Sequence, residues 1–545
     1  MAVLGTVVGG LSVSPATTAL ATSAGTSSNF SLVGHDALFN RGENAAMAIN
    51  GNYAYIGNRT DGSPNHLHPG VLIDDISEPT NPHNVGEIAL TSVDPSFALG
   101  TTSRELRVWP QQNLLMVMYF GCSAILHACT SQADLAGSPN PVIAFFDIAG
   151  PKATSPQLVS KYVASGTLIG RVPQAFNSQP HEMFLWVDPL RAGRAMIYTT
   201  FPNNYPTRSL MVVDISNWRT GGFTETKFDL HNQFQDTTNY DVRLHSMSVS
   251  ADGKRTYLAH LGGGFLVVDS SDIANNVAKP QLRLITPIAN RVYWDNQGAH
   301  SSVYLPGRPY VFVTEEIYGR DIVSTALSSA LLGCPWGWAR VIDVHDETHP
   351  KLVAQYKIAE NDPSYCPGVS QTQNNFSSYA SHNPTVLPDV AILTWHSGGL
   401  QAVNLADPVH PTQAGFYLPT PETLSVTPDP ALEPGSNNVI AWSYPIIKNG
   451  LIYYIDIRNG LYIVKYSGPH AEEVSATEFL EGNSSLGDAH RLDQPSAALR
   501  TAAESLVPNT STGILPLRLP LVGSVLLFAS ALAFFAFSVR PRRRS

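Results

Sequence analysis

Four histidines, His181, His245, His300 and His382, each stand seven residues ahead of a turn-forming residue: Asp188, Asp252, Gly307 and Asp389. Three further stretches carry the same turn at Gly51, Gln111 and Asn449, and seven positions earlier they hold Asn44, Arg104 and Trp442. Histidine is 17 of 545 residues, so seven positions filled by composition would hold about 0.2 of one, against the four found. A neutral imidazole nitrogen is a good donor to iron, copper or zinc, so four on one register are a candidate ligand set for one transition metal. Equally, each could hydrogen-bond a neighbouring repeat, a role that duplication would copy. His260, Glu315 and His396, at the ends of the apolar runs that follow, and Arg104 are expected at the same rim.

That register brings the rings together only if the stretches are copies of one unit. Ala380 to Pro419 reads as a complete copy: a strand after His382, a turn at Pro388-Asp389, an apolar strand from Val390 to Trp395, a Ser397-Gly398-Gly399 turn, a strand from Leu400 to Leu405 and a last one from Gln413 to Leu418. Six other stretches overlay it, beginning at Asn44, Arg104, His181, His245, His300 and Trp442. The last of these lacks a fourth strand, and Ser31 to Leu38, SLVGHDAL, matches the fourth-strand sequences NVGEIAL and KLVAQYKI. The expected fold is therefore all-β, a seven-bladed β-propeller closed by the N-terminal strand, because closing the ring hides sheet edges. In such a blade the first strand lines the channel. The long connections, Arg59 to Pro69, Gly121 to Asn140, Glu316 to Gly337 and Glu360 to Ala380, then gather on the face where the histidines open, as a binding site on a rigid scaffold requires.

The third strands LIDDISEPTNP, LMVVDIS, FLVVDSSD, RVIDVHDETHP and QAVNLADPVHP resemble those of the LVIVD-repeat proteins, a β-propeller family, over roughly Ser31 to Ser467. Asn404 and Lys465 stand where the repeat aspartate is expected. The resemblance implies a propeller fold and a cell-surface habit, and it carries no agreed chemistry. The aspartates Asp75, Asp147, Asp214, Asp269 and Asp343 precede turn sequences and are read as acceptors of backbone N–H groups.

The ends set the expected location. Residues 514–539 contain 21 uncharged ones, Leu519 to Val539, followed by the basic tail 540–545, which reads as one transmembrane helix with a cytoplasmic end and the propeller on the extracytoplasmic side of the plasma membrane. Residues 1–27 read as a signal-like leader without a basic start, 28–467 as the propeller, and 468–513, rich in Ala, Ser, Glu and Asn, as a flexible linker. Four cysteines in that setting, Cys122, Cys129, Cys334 and Cys366, are expected as disulfides, since no C-x-x-C spacing marks a metal site.

Other chemistry finds little support. A net charge of −10 with no basic stripe gives no support for nucleic-acid binding. Neither G-x-S-x-G nor H-E-x-x-H occurs, and no helix follows Gly262-Gly263-Gly264 to make a phosphate loop. His66 and His68 are expected to be solvated. Three functions stay open: a membrane-anchored surface propeller that binds a small-molecule ligand or protein partner on its loop-rich face, a metal-dependent oxidoreductase using the four histidines, or a purely structural adhesin that needs neither the histidines nor a pocket.

Overall fold

The structure is a computed structural model, and it describes residues 25–59, 66–97, 101–121, 142–164, 180–200, 210–228, 244–261, 263–294, 299–316, 336–368, 378–425 and 439–494. These residues form a propeller-like set of antiparallel sheets. The unit predicted from Ala380 onward is present as strands Pro384–Val386, Val390–Thr394, Leu400–Asn404 and Thr412–Leu418, paired in that order. Its middle strand is buried throughout, which is why it reads as an unbroken apolar run, whereas an outer strand such as His83–Ile88 alternates exposed and half-buried residues. Sheets pack face to face. Met116, Met118 and Phe145 of one sheet meet Leu185, Ile197 and Val213 of the next. Each such side chain stabilises by about 1.5–3 kcal/mol on burial.

The turns follow the sequence closely. Gly399 adopts φ +73°, and a Cβ there would stand 2.4 Å from the carbonyl of Tyr417, so glycine is required. The repeat aspartates all cap turns: Asp75, Asp147, Asp214, Asp269 and Asp343 accept the N–H two residues on at 2.8–3.0 Å. Asn404 does the same for Ala406 at 2.9 Å, which explains why it can replace the expected aspartate.

The sheets number six among the described residues rather than seven. The first two units share one eight-stranded sheet, joined where Asn58 pairs with Ser103. Gly57 permits this: a Cβ there would meet the Ser103 carbonyl at 2.1 Å. At the other end of the chain, Phe30–Asp36 pairs with Gly460–Tyr466 from Phe30↔Tyr466 to Asp36↔Leu461, completing the last unit with the N-terminal strand. Thr26–Ser28, whose first two residues were expected in the leader, adds to the neighbouring sheet against Thr412–Leu418.

Residues 468–494 differ from the linker expected there. They form a helix Ala471–Ser475, a strand Phe479–Glu481 and a helix Ala489–Leu492. The strand pairs with Ile446–Lys448, after which the Asn483 carbonyl accepts from Leu185 N (3.1 Å) and Ser485 N donates to Leu185 O (2.9 Å). Main-chain bonds and four buried side chains, Val474, Leu480, Leu486 and Leu492, order this segment, and their spacing matches neither a helix nor a strand period. It packs beside Val249, Val303 and Val386, at the far ends of the first strands from His245, His300 and His382.

No described helix is long and apolar enough to cross a membrane. The expected transmembrane helix 514–539, the tail 540–545 and residues 1–24 of the leader lie outside the described residues, as do Cys122, Cys129, Cys334 and the side chain of Cys366.

Candidate metal centre

The histidine register is held by main-chain bonds. His181, His245 and His382 donate their N–H groups to the carbonyls of Thr200, Ala259 and Thr394, at or next to the ends of their second strands, at 2.9, 2.9 and 3.0 Å. His300 reaches the same place differently. Ala299 pairs with Glu315 and Ser301 with Thr314, so His300 is the extra residue of a β-bulge, the device that re-aims a side chain. The first strands of successive units contact one another, and that brings the four rings into one arc. Ring centres are separated by 4.5 Å from His181 to His245, 3.9 Å from His245 to His300 and 4.4 Å from His300 to His382. His396 continues the arc at 5.0 Å from His382, and Trp442, the seventh residue of the register, lies 4.0 Å from His382.

The arc is not closed on one central point by four imidazoles. At its heart stands Glu316, which the sequence reading did not select. His300 Nε2 lies 3.2 Å from Glu316 Oε2, while His382 and His396 Nε2 lie 3.3 and 3.2 Å from Oε1. Glu315, expected at this rim, turns away: it pairs with Arg340 and accepts from Trp294 Nε1 at 2.7 Å. Glu315 ends its strand and Glu316 is the next residue, and successive side chains there take opposite sides. His260 is buried, but it joins none of the His, Cys, Asp and Glu groups able to hold an ion among the described residues. Arg104 pairs with Glu182 at 3.4 Å, beside His181 and His245, whose Nε2 atoms are 2.8 Å apart.

Hydrogen bonds fix which ring nitrogen carries the proton. His382 Nδ1 is 2.6 Å from the Trp442 carbonyl, an acceptor only, so Nδ1–H donates and the neutral ring turns a lone pair at Nε2 towards Glu316. For His300 the tautomer is set through a relay of neighbouring residues. Asn383 gives its Nδ2–H to the Trp442 carbonyl (3.0 Å), so its Oδ1 accepts the Ser301 hydroxyl (3.1 Å), and Ser301 Oγ must then accept from His300 Nδ1 (2.9 Å). In the neutral ring His300 Nε2 then keeps its lone pair as well. Neither Nε2 has a hydrogen-bonding partner in proper geometry, and both are buried.

Two lone pairs facing a carboxylate repel it unless a cation lies among them. The separations suit one: donors about 2.0–2.2 Å from a tetrahedral ion lie about 3.4 Å from each other. Protonation agrees. Burial, opposed by Glu316, pushes His382 well below the usual imidazole range, and burial also lowers His396. Neutral imidazoles and an ionised carboxylate are the states that bind metal, and a ligand histidine donating its other N–H to a carbonyl or hydroxyl is the usual outer support.

Comparison with known proteins adds the following. The LVIVD repeat family model matches residues 41–89 and 245–280, in the first and fourth units. No curated protein matches the chain. Among solved structures the chain is similar to one titled "Crystal Structure Of The C-Terminal WD40 Domain Of Sif2", with 9% identity and a TM-score of 0.42 over 80% of this chain and 98% of that one.

Proposed function

We propose that the chain is a binding propeller whose ligand is a transition-metal ion, held between Glu316 and the Nε2 atoms of His300, His382 and His396. The observation that carries this reading is the pair of fixed tautomers: both Nδ1 positions are committed as donors, so His300 and His382 present lone pairs to Glu316 at 3.2 and 3.3 Å. A purely structural histidine would be expected to use its second nitrogen on a donor. Donors that are mostly imidazole favour copper, zinc or iron over magnesium or calcium. When bound, the ion would supply Lewis acidity or, for copper and iron, redox chemistry; the chain's residues hold and orient it.

Around this site we read seven blades, counting the eight-stranded sheet as two, and an extracytoplasmic surface location given by the apolar span 519–539 and the Arg-rich tail. The loop-rich face over the histidines would meet a small molecule or protein partner. Elemental analysis of the full chain, purified after expression with iron, copper and zinc each supplied, tests the reading. At least one tightly held ion per chain is expected. A metal-free protein under all three conditions would leave the histidines as contacts between blades, and the oxidoreductase alternative would fall with the ion.

A further inference from the structure

The carboxylate of Glu316 is addressed from two sides. Oε2 faces His300, and Oε1 faces His382 and His396. Correspondingly, two sets of ligand atoms lie within 4.8 Å of one another, His245 with His300 and Glu316, and Glu316 with His382 and His396. Glu316 is the one member common to both. His245 brings an independent observation: its Nδ1 is buried without a hydrogen-bond partner, so the first set holds an uncommitted imidazole nitrogen beside His300, whose ring centre is 3.9 Å away.

Resting on the metal-binding reading above, we infer that the site takes two transition-metal ions, with Glu316 as a bridging carboxylate between them. One ion is held by His245, His300 and Glu316 Oε2, and the other by His382, His396 and Glu316 Oε1. A carboxylate that gives one oxygen to each ion sets them about 3.5–4 Å apart, the spacing at which two metals act on one bound group. The outer supports differ between the halves, which keeps the two ions distinct. His300 leans on Ser301 and the Asn383 amide, His382 on the Trp442 carbonyl, and His396 Nδ1 lies 2.8 Å from the Ser378 hydroxyl. With one shared carboxylate against four imidazoles, the donor set fits zinc and copper.

The test loads the full chain with copper(II), removes loosely held ions by dialysis, and measures both stoichiometry and electron paramagnetic resonance. Two retained ions per chain are expected, with a spin-coupled signal whose intensity falls well below that of two independent copper ions. Copper on exposed histidines stays uncoupled and is distinguished in this way. His300→Ala and His396→Ala should each leave one ion and restore an uncoupled signal. A parent protein with one ion, or with two uncoupled ions, overturns the bridge while leaving a metal site in place. A parent that retains none overturns both readings. The parent measurement decides even where a variant fails to fold.

Discussion

His382 donates from Nδ1 to the Trp442 carbonyl at 2.6 Å, and this bond leaves its other nitrogen as a lone pair 3.3 Å from Glu316. The partner belongs to the next unit of the chain, so the tautomer of a candidate ligand is set by the packing of one repeat on another. The same is true of His300, whose support passes through Asn383 of the following unit to that same carbonyl.

Removing a ligand should therefore cost more than removing its support. His382→Ala is expected to lose, on dialysis, the ion it shares with His396, and Ser301→Ala, which frees His300 Nδ1 together with the Asn383 amide oxygen, to weaken binding about 10–100-fold. His410→Ala, whose side chain is 80% exposed, is the control and should change nothing. Titration with zinc followed by calorimetry reads all three. Equal affinities for the parent and His382→Ala would remove His382 from the ligand set.

Much of this site could be read from the chain, and the limits have physical causes. The His register was legible because duplicated strands keep their spacing. Glu316 was not, since the choice between two adjacent glutamates depends on which side of a strand end each takes. His300 keeps its place through a bulge that spacing alone does not announce. The ordering of residues 468–494 was hidden because its apolar anchors, Val474, Leu480, Leu486 and Leu492, fit neither a helix nor a strand period, and the rest of the order comes from main-chain bonds to Leu185 and Ile446–Lys448. The fusion of the first two units turns on a single glycine, Gly57.

Deleting residues up to Asp36 should uncover the edge formed by Gly460–Tyr466. Unpaired N–H and C=O groups along that strand favour association between chains, so a lower melting temperature and concentration-dependent aggregation are expected. An unchanged melting temperature together with a monomeric sedimentation profile would mean that the N-terminal strand contributes little to closure.

Asp74 gives a pH signature remote from the histidines. Burial, with Asp36 adding to it, pushes its carboxyl up to about 8, against about 4 in an unfolded chain. Between these values the folded state holds the extra proton, so stability falls as pH rises, by up to about 1.4 kcal/mol per pH unit. Asp74→Asn should thus gain on the parent from pH 5 to 8 and lose that gain below about pH 4. Melting temperatures of both proteins across that range check it; a constant difference would show that Asp74 does not titrate this way.

The expected topology has its own readout. With the span 519–539 followed by an Arg-rich tail, protease added to intact cells should degrade residues 28–467 and leave a short tail-bearing fragment protected. Full protection of the propeller in intact cells, lost on lysis, would reverse the orientation.

The most direct measurement is anomalous diffraction from crystals of the zinc-loaded chain, recorded on both sides of the zinc absorption edge. Peaks are expected about 2.0–2.2 Å from Glu316 and from the Nε2 atoms of the flanking histidines. Zinc found only on exposed histidines, with hydrogen bonds alone joining Glu316 to His300, His382 and His396, would contradict a metal centre there.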